Sequence, residues 1–296
     1  MRFAFSTLAC PAWTLEEAVA RGREYGYDGI ELRLIDGNVI PPHVGAGMVG
    51  RVRDATTEAG LDVVALDTSV RVTAEESQRV RNDILAYIEL AVAWAAPVVR
   101  VFGGALPSGP SERQEAFDRA VAVLAAVAPV AAAAGVTVAV ETHDDFSASA
   151  VLVELLTRVP AVGIGAVWDS HHPYRMGESP AQVAANLGDR VALAQVKDAR
   201  RDAQEPSGWH LVLLGEGEVP VREMAGRARD DCGLDWISVE WEKHWHPDIE
   251  PPEEALPQHL AVLRSWDLGG TKPRGEPATG EEAPSEEATR SSDDRR

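Results

Sequence analysis

The sequence predicts an α/β chain, a single (β/α)8 TIM barrel over residues 1–268 with a disordered tail over 269–296. Three observations predict it. Eight short, β-branched apolar runs alternate with longer helix-like segments along the chain. Each run is apolar on consecutive residues, as strands become when helices cover both faces of a parallel sheet. The eight units occupy about 266 residues, the size of one such barrel. A doubly wound open sheet would need a Gly-rich phosphate turn after its first strand, and Leu8-Ala9-Cys10-Pro11-Ala12 is not one.

The first strand, FAFSTLA (3–9), precedes a helix over 14–26, with Thr14 as N-cap and Glu17 three residues on. GIELRL (29–34) leads to a helix over 44–59 that Gly60 ends. VVALDT (63–68) is followed by a helix over 73–95, and VVRVFGG (98–104) by one over 111–134 closed by Gly135. VTVAVETH (136–143) precedes a helix over 147–159, and VGIGAVWD (162–169) one over 180–189. VALAQVKD (191–198) runs into a long loop and a helix over 221–231; WISVEWE (236–242) precedes a helix over 253–266. The tail is rich in Gly, Pro, Ser and Glu and has no apolar residue larger than alanine, too little to order itself.

The formal charge is −19, of which the tail holds seven acids and five bases, so −17 belongs to the folded part. Such a surface argues against binding a phosphate backbone, which needs clustered Lys and Arg. No apolar run approaches a membrane span. Cys10 and Cys232 lie far apart without metal-type spacing, which points to a reduced, cytoplasmic setting. Leu8-Ala9-Cys10 faintly resembles a lipoprotein cleavage site, but too few residues precede it for a signal peptide. Lys197, Lys243 and Lys272 are the only lysines; every other basic residue is arginine. A lysine at a strand end therefore invites a chemical reason, since Lys can lose its proton when desolvated and Arg effectively cannot.

Four strands turn polar at their C-terminal ends: Glu141, Asp169, Gln195 and Glu240 close strands five to eight. In a parallel barrel these ends converge on one face. Three carboxylates there repel one another unless something positive sits between them, and a divalent cation is the simplest answer. Each carboxylate on its own would read more readily as a helix cap or a helix-dipole partner.

These residues resemble the sugar phosphate isomerase/epimerase family of xylose isomerase-like barrels, which includes ketose 3-epimerases, inosose dehydratases and 3-dehydroshikimate dehydratases. The resemblance spans residues 1–268. It rests on VETH with Glu141 and His143, WDSHH with Asp169 and His172, and AQVKD with Gln195, Lys197 and Asp198. LGEGEVP (214–220), SVEWE with Glu240 and the stretch 246–257 extend it. It implies metal ligation by Glu141, Asp169, Gln195 and Glu240. Many members carry His where this chain has Gln195, and some dehydratases carry Gln. An all-oxygen shell favours Mn²⁺, with Mg²⁺ or Co²⁺ as alternatives, over Zn²⁺.

His143 lies two residues after Glu141, and Lys197 two after Gln195, so on strands each shares its partner's side. A cation nearby would depress the Lys197 pKa and suit it to proton transfer; a salt bridge to Asp198 or Glu216 is the structural alternative. His172, Glu31 and Arg100 are candidates to contact substrate. Trp13, Trp168, Trp209, Trp241 and Trp245 are candidates to line a sugar pocket or to pack the core, and Gly215 and Gly217 to shape a loop.

The resemblance implies an isomerase or epimerase acting on a ketose, inosose or related hydroxycarbonyl compound through an enediolate, with Glu141 and Glu240 as the acid/base pair. The alternative is a dehydratase of a cyclic hydroxyketone in which His143 or Lys197 removes the α-proton. A non-catalytic metal-binding barrel is the third reading. A trinuclear-zinc endonuclease would need histidines near Asp67 and Phe102, where none stands. The expected partner is a small polyol, ketose or cyclitol. Nucleic acid and membrane are not expected, and homo-oligomerisation is left open.

Overall fold

A computed structural model describes residues 1–266 and 268; the predicted tail over 269–296 lies outside the described residues. The barrel strands are β1 (Arg2–Ser6), β2 (Gly29–Leu32), β3 (Asp62–Arg71), β4 (Val98–Phe102), β5 (Thr137–Glu141), β6 (Ile164–Asp169), β7 (Val191–Val196) and β8 (Trp236–Val239). Each pairs in parallel with the next, and β8 pairs with β1 to close the barrel.

Around it lie α1 (Leu15–Tyr25), α2 (Ala46–Ala59), α3 (Ser77–Ala93), α4 (Pro110–Ala134), α5 (Ser149–Thr157), the short α6 (His171–Arg175), α7 (Pro180–Leu187), α8 (Val221–Asp230) and α9 (Pro252–Ser265). Thr14 caps α1 as the sequence predicts, its hydroxyl accepting the Glu17 N–H at 3.2 Å. Gly26, Gly60 and Gly135 end α1, α2 and α4 with φ of 96°, 67° and 68°, a backbone that costs glycine little. α4 is long and apolar enough to cross a membrane by length and composition, contrary to the sequence expectation. Ala120, Leu124, Val127 and Ala131 are buried within the protein core.

Other boundaries shift for local reasons. β1 stops at Ser6, whose side chain caps a 3-10 turn over Thr7–Ala9. β3 runs on to Arg71, so α3 begins at Ser77 rather than at 73. The loop after β7 contains an antiparallel hairpin, Asp198–Arg201 with Trp209–Val212, and a smaller one joins Leu34–Ile35 to Asn38–Val39.

What positions the site is a change of layer inside the barrel. Ala4, Ala65, Val98, Ala139, Val167 and Leu193 pack in one interior cluster. Two residues further along the same strands stand Ser6, Asp67, Arg100, Glu141, Asp169 and Gln195, all buried. A strand's period of two sends both sets inward, so the lower barrel is apolar and the upper barrel polar.

Candidate active site

The upper layer is crowded with charge. Glu31, Asp67, Glu141, Asp169 and Glu240 are buried, and Glu242 is largely so. Arg33, Arg100 and Lys197 are the buried cations among them. Six carboxylates against three cations leave a formal −3 in a water-poor space.

Arg100, from β4, bridges two acids: Nη2 lies 3.3 Å from Asp67 and Nε 3.1 Å from Glu141, while Nη1 donates to the Thr68 carbonyl at 2.8 Å. Lys197, one residue past β7, stands 3.1 Å from Asp169 Oδ2 and 2.7 Å from Glu240 Oε2, and also contacts Glu242. Burial alone would lower its pKa. In the metal-free protein, Asp169, Glu240 and Glu242 outweigh burial and hold it well above the usual lysine range. Its partners are not the predicted Asp198 or Glu216: Asp198 instead accepts backbone N–H groups from Gly215, Gly217, Val219 and Ala199.

Gln195 donates its amide N–H to Glu31 at 2.6 Å and to Glu240 at 3.3 Å. Two carboxylate acceptors fix which end of the amide is nitrogen. Its Oε1 is left buried without a hydrogen bond. Asp169 divides its work: Oδ1 accepts the His171 and His172 N–H groups at 2.8 Å, holding α6, while Oδ2 has no hydrogen bond. Oxygens of Glu141, Asp169 and Glu240 lie within 4.8 Å of one another. Three converging carboxylates, an orphaned amide oxygen and an excess of negative charge fit a hard divalent cation.

Burial pushes Glu31 and Glu240 well above the usual carboxylate range. Asp67 adds to the effect on Glu31, while Lys197 only partly offsets it on Glu240. Burial also raises Glu141, with Arg100 opposing. Glu242 is held low by Lys197 despite its burial.

His143 stands over this layer beside Phe102 and His172, at ring separations of 4.6 and 4.5 Å. Its Nδ1 pairs with Asp144 Oδ1 at 2.8 Å, and the residue lines the mouth. Asp144 has φ of 50°, a strained backbone for a non-glycine residue and of a kind that gathers at functional sites. His172 is buried, its Nδ1 without a hydrogen bond, and burial followed by Lys197 drives its pKa well below the usual value.

The mouth is a cavity of about 60 Å³ lined by Arg33, Arg100, Glu141, His143, Lys197, Glu240 and neighbours. Of the predicted site residues, Glu31, Asp169, His172 and Gln195 do not line it; Glu31 is fully buried and bonded to Gln195. Trp13, Trp168 and Trp241 pack in the core, Trp209 meets His171 edge-on at 5.1 Å, and Trp245 is 53% exposed at the rim. The sequence reading missed Arg33, Asp144 and Glu242. The signal for Glu242 was present, two residues past Glu240 on the same strand end.

Comparison with known proteins agrees with this architecture. Solved structures with the same fold include the probable 3-DHS dehydratase AsbF from Bacillus anthracis, 19% identical over 89% of this chain and 99% of that one, with a TM-score of 0.70. The IOLI protein with a bound zinc atom is 17% identical over 90% and 98%, with a TM-score of 0.73. D-psicose 3-epimerase is 12% identical over 91% and 100%, with a TM-score of 0.72. No curated protein sequence matches the chain significantly. The sequence pattern of one family matches residues 19–266, and by that match the chain belongs to the xylose isomerase-like TIM barrels.

Proposed function

We propose that this protein removes a proton from the carbon beside a carbonyl in a small hydroxycarbonyl compound, and that the reaction is a dehydration of a cyclic hydroxyketone. The observation that carries the reading is the His143–Asp144 pair. Asp144 Oδ1 holds the His143 Nδ1 at 2.8 Å, and the imidazole so oriented lines the mouth. A histidine so held is oriented to act as a general base.

Glu141, Asp169, Glu240 and Gln195 Oε1 would hold a divalent cation, with Mn²⁺ the best match to all-oxygen donors. When bound, such a cation polarises a carbonyl and an adjacent hydroxyl. The chain's own groups supply the proton chemistry. His143 Nε2 takes the α-proton, and the electron pair of the C–H bond passes toward the carbonyl to give an enolate. The enolate then forms a carbon–carbon double bond as the β-hydroxyl departs. The imidazolium returns its proton to that oxygen, and water leaves. Arg100 restrains Glu141 and Lys197 restrains Glu240, so the carboxylates keep their places as charge moves.

Epimerisation is the second reading, favoured by the placement of Glu141 and Glu240 in one cluster, where the pair would act as acid and base. Both are already tied to buried cations, which favours His143. Among the fold's neighbours stand a probable dehydratase and a 3-epimerase.

Incubating the Mn²⁺-loaded protein with inososes, 3-dehydroshikimate and ketoses in D₂O, followed by NMR, tests the assignment. Loss of water with a new double bond is the expected outcome, and His143→Gln should lower kcat by about 10²–10⁴-fold. Deuterium incorporation without loss of water would move the assignment to epimerisation. Metal binding with no turnover across the panel would leave a non-catalytic barrel.

A further inference from the structure

Arg33 is the anomaly of the mouth. It follows β2 directly, and the Thr7 hydroxyl pins its backbone by accepting the N–H groups of Arg33 at 2.9 Å and Leu34 at 2.7 Å. Its side chain is carried inward, and the residue is only 5% exposed. Nη2 donates to Ser69 Oγ at 3.0 Å, while Nη1 is buried with no hydrogen-bond partner. Arg100 and Lys197 each pair with two or more carboxylates. Among the described residues, Arg33 has no carboxylate within ion-pair distance.

Burying a guanidinium with no carboxylate in direct contact is costly, and Asp67, Glu240 and Glu141 offset that cost for Arg33 only from beyond ion-pair distance. Burial, followed by repulsion from Arg100, lowers the Arg33 pKa to about 10, so the charge persists at neutral pH. Arg33 lines the same small cavity as His143, Glu141 and Glu240. The side chain therefore borders the space that the proposed substrate would fill.

We infer that the substrate carries a carboxylate, and that Arg33 is the residue that binds it. This rests on the reading of the mouth as a substrate site and narrows it to acidic hydroxyketones. A neutral hydroxyl would satisfy the hydrogen bond and leave the charge unmatched. A carboxylate satisfies both, through the planar fork that guanidinium presents. A phosphate dianion fits less well, because Arg100 and Lys197, the other cations of the cavity wall, are already paired with carboxylates and leave its second charge unmet. The anchor also orients the ring: with its acid end at Arg33, the rest of the molecule extends toward His143 and the carboxylate cluster.

Shikimate and its methyl ester share a ring and hydroxyl pattern and differ in the negative charge, so titration calorimetry of the Mn²⁺-loaded full chain isolates the anchor. Wild type should bind shikimate at least tenfold more tightly than the ester. Arg33→Gln should erase that ratio while leaving affinity for the ester within about twofold, and Arg33→Lys should retain part of it. Unchanged thermal melting and Mn²⁺ affinity in the variants show that the loss is local. A ratio near one in wild type, an undiminished ratio in Arg33→Gln, or no binding of either ligand would overturn the inference. Stronger displacement of shikimate by inorganic phosphate than by acetate would reassign the site to phosphate. Turnover is not needed for this measurement. A preference that follows Arg33 in a protein without dehydratase activity keeps the anchor and removes the proposed reaction. Dehydration of neutral cyclitols without the preference does the reverse.

Discussion

Lys197 and a divalent cation would address the same carboxylates. The ammonium lies between Asp169 and Glu240, two of the three clustered carboxylates, so it already neutralises part of the charge that would attract a metal. Replacing it with methionine removes a buried positive partner, which should destabilise the metal-free protein by about 3–5 kcal/mol. The same change leaves Asp169 and Glu240 more negative, so Mn²⁺ should bind about tenfold more tightly. Chemical denaturation and Mn²⁺ titration of Lys197→Met measure both effects. Weaker Mn²⁺ binding would mean that Lys197 supports the cation site rather than competing for it. Lys197 and the four strand-end groups were legible in the sequence because each is a polar residue ending an apolar run. Arg33 was not: in a chain whose basic residues are nearly all arginine, one more after a strand reads as surface. Only its burial reveals it.

At the scale of the element, one rule carries most of the fold. The barrel strands place an apolar residue inward and, two residues later, a polar one, as Ala139 and Glu141 do on β5 or Leu193 and Gln195 on β7. That rule is written in the sequence and fixes both the strands and the face on which the site forms. The hairpin after β7 escaped because DARR and WHLV are short and half polar, and α6 because five residues give no helical period. What holds that hairpin is a side chain. Asp198 accepts the N–H groups of Gly215, Gly217, Val219 and Ala199 at 2.9–3.1 Å. A Cβ on Gly217 would lie 2.1 Å from Asp198 Oδ1, so glycine is needed where the loop meets the carboxylate. Asp198→Ala strands these donors and should cost about 2–4 kcal/mol in urea unfolding. It should also loosen Trp209 against His171, visible as a change in tryptophan fluorescence. A cost below about 0.5 kcal/mol would mean that water replaces the carboxylate and that the loop is held elsewhere.

Across the whole molecule, the −19 charge and the formal −3 of the upper barrel layer act in the same direction, and both make bound cations stabilising. The pH dependence follows from the folded-state shifts. Glu31, Glu141 and Glu240 have raised pKa values, so above the unfolded carboxylate range the folded state holds more protons than the unfolded chain. Their contribution to stability therefore falls as pH rises through the window between the unfolded and folded values. His171 and His259, each lowered to about 4 by burial, act oppositely: they remain neutral in the fold and cost stability as pH falls below the unfolded histidine value. Total stability mixes the two trends, but the difference between Mn²⁺-loaded and metal-free protein at one pH separates them. His259 packs against Trp241 away from the carboxylate cluster, so its contribution cancels in that difference, whereas His171, bonded to Asp169, belongs with the site. What remains is the mouth. A cation there replaces the protons that the raised glutamates would otherwise keep, so its binding releases protons and strengthens with pH. At about a hundredfold excess over its Kd at pH 7.5, Mn²⁺ should stabilise the fold by about 2.7 kcal/mol, a rise in Tm of roughly 5 °C. At the same Mn²⁺ concentration, the rise should shrink toward zero by pH 5. Paired thermal melts with Mn²⁺ and with chelator across that range measure it. A gain in Tm that is the same at both ends would place the cation away from Glu141 and Glu240, on carboxylates that titrate normally.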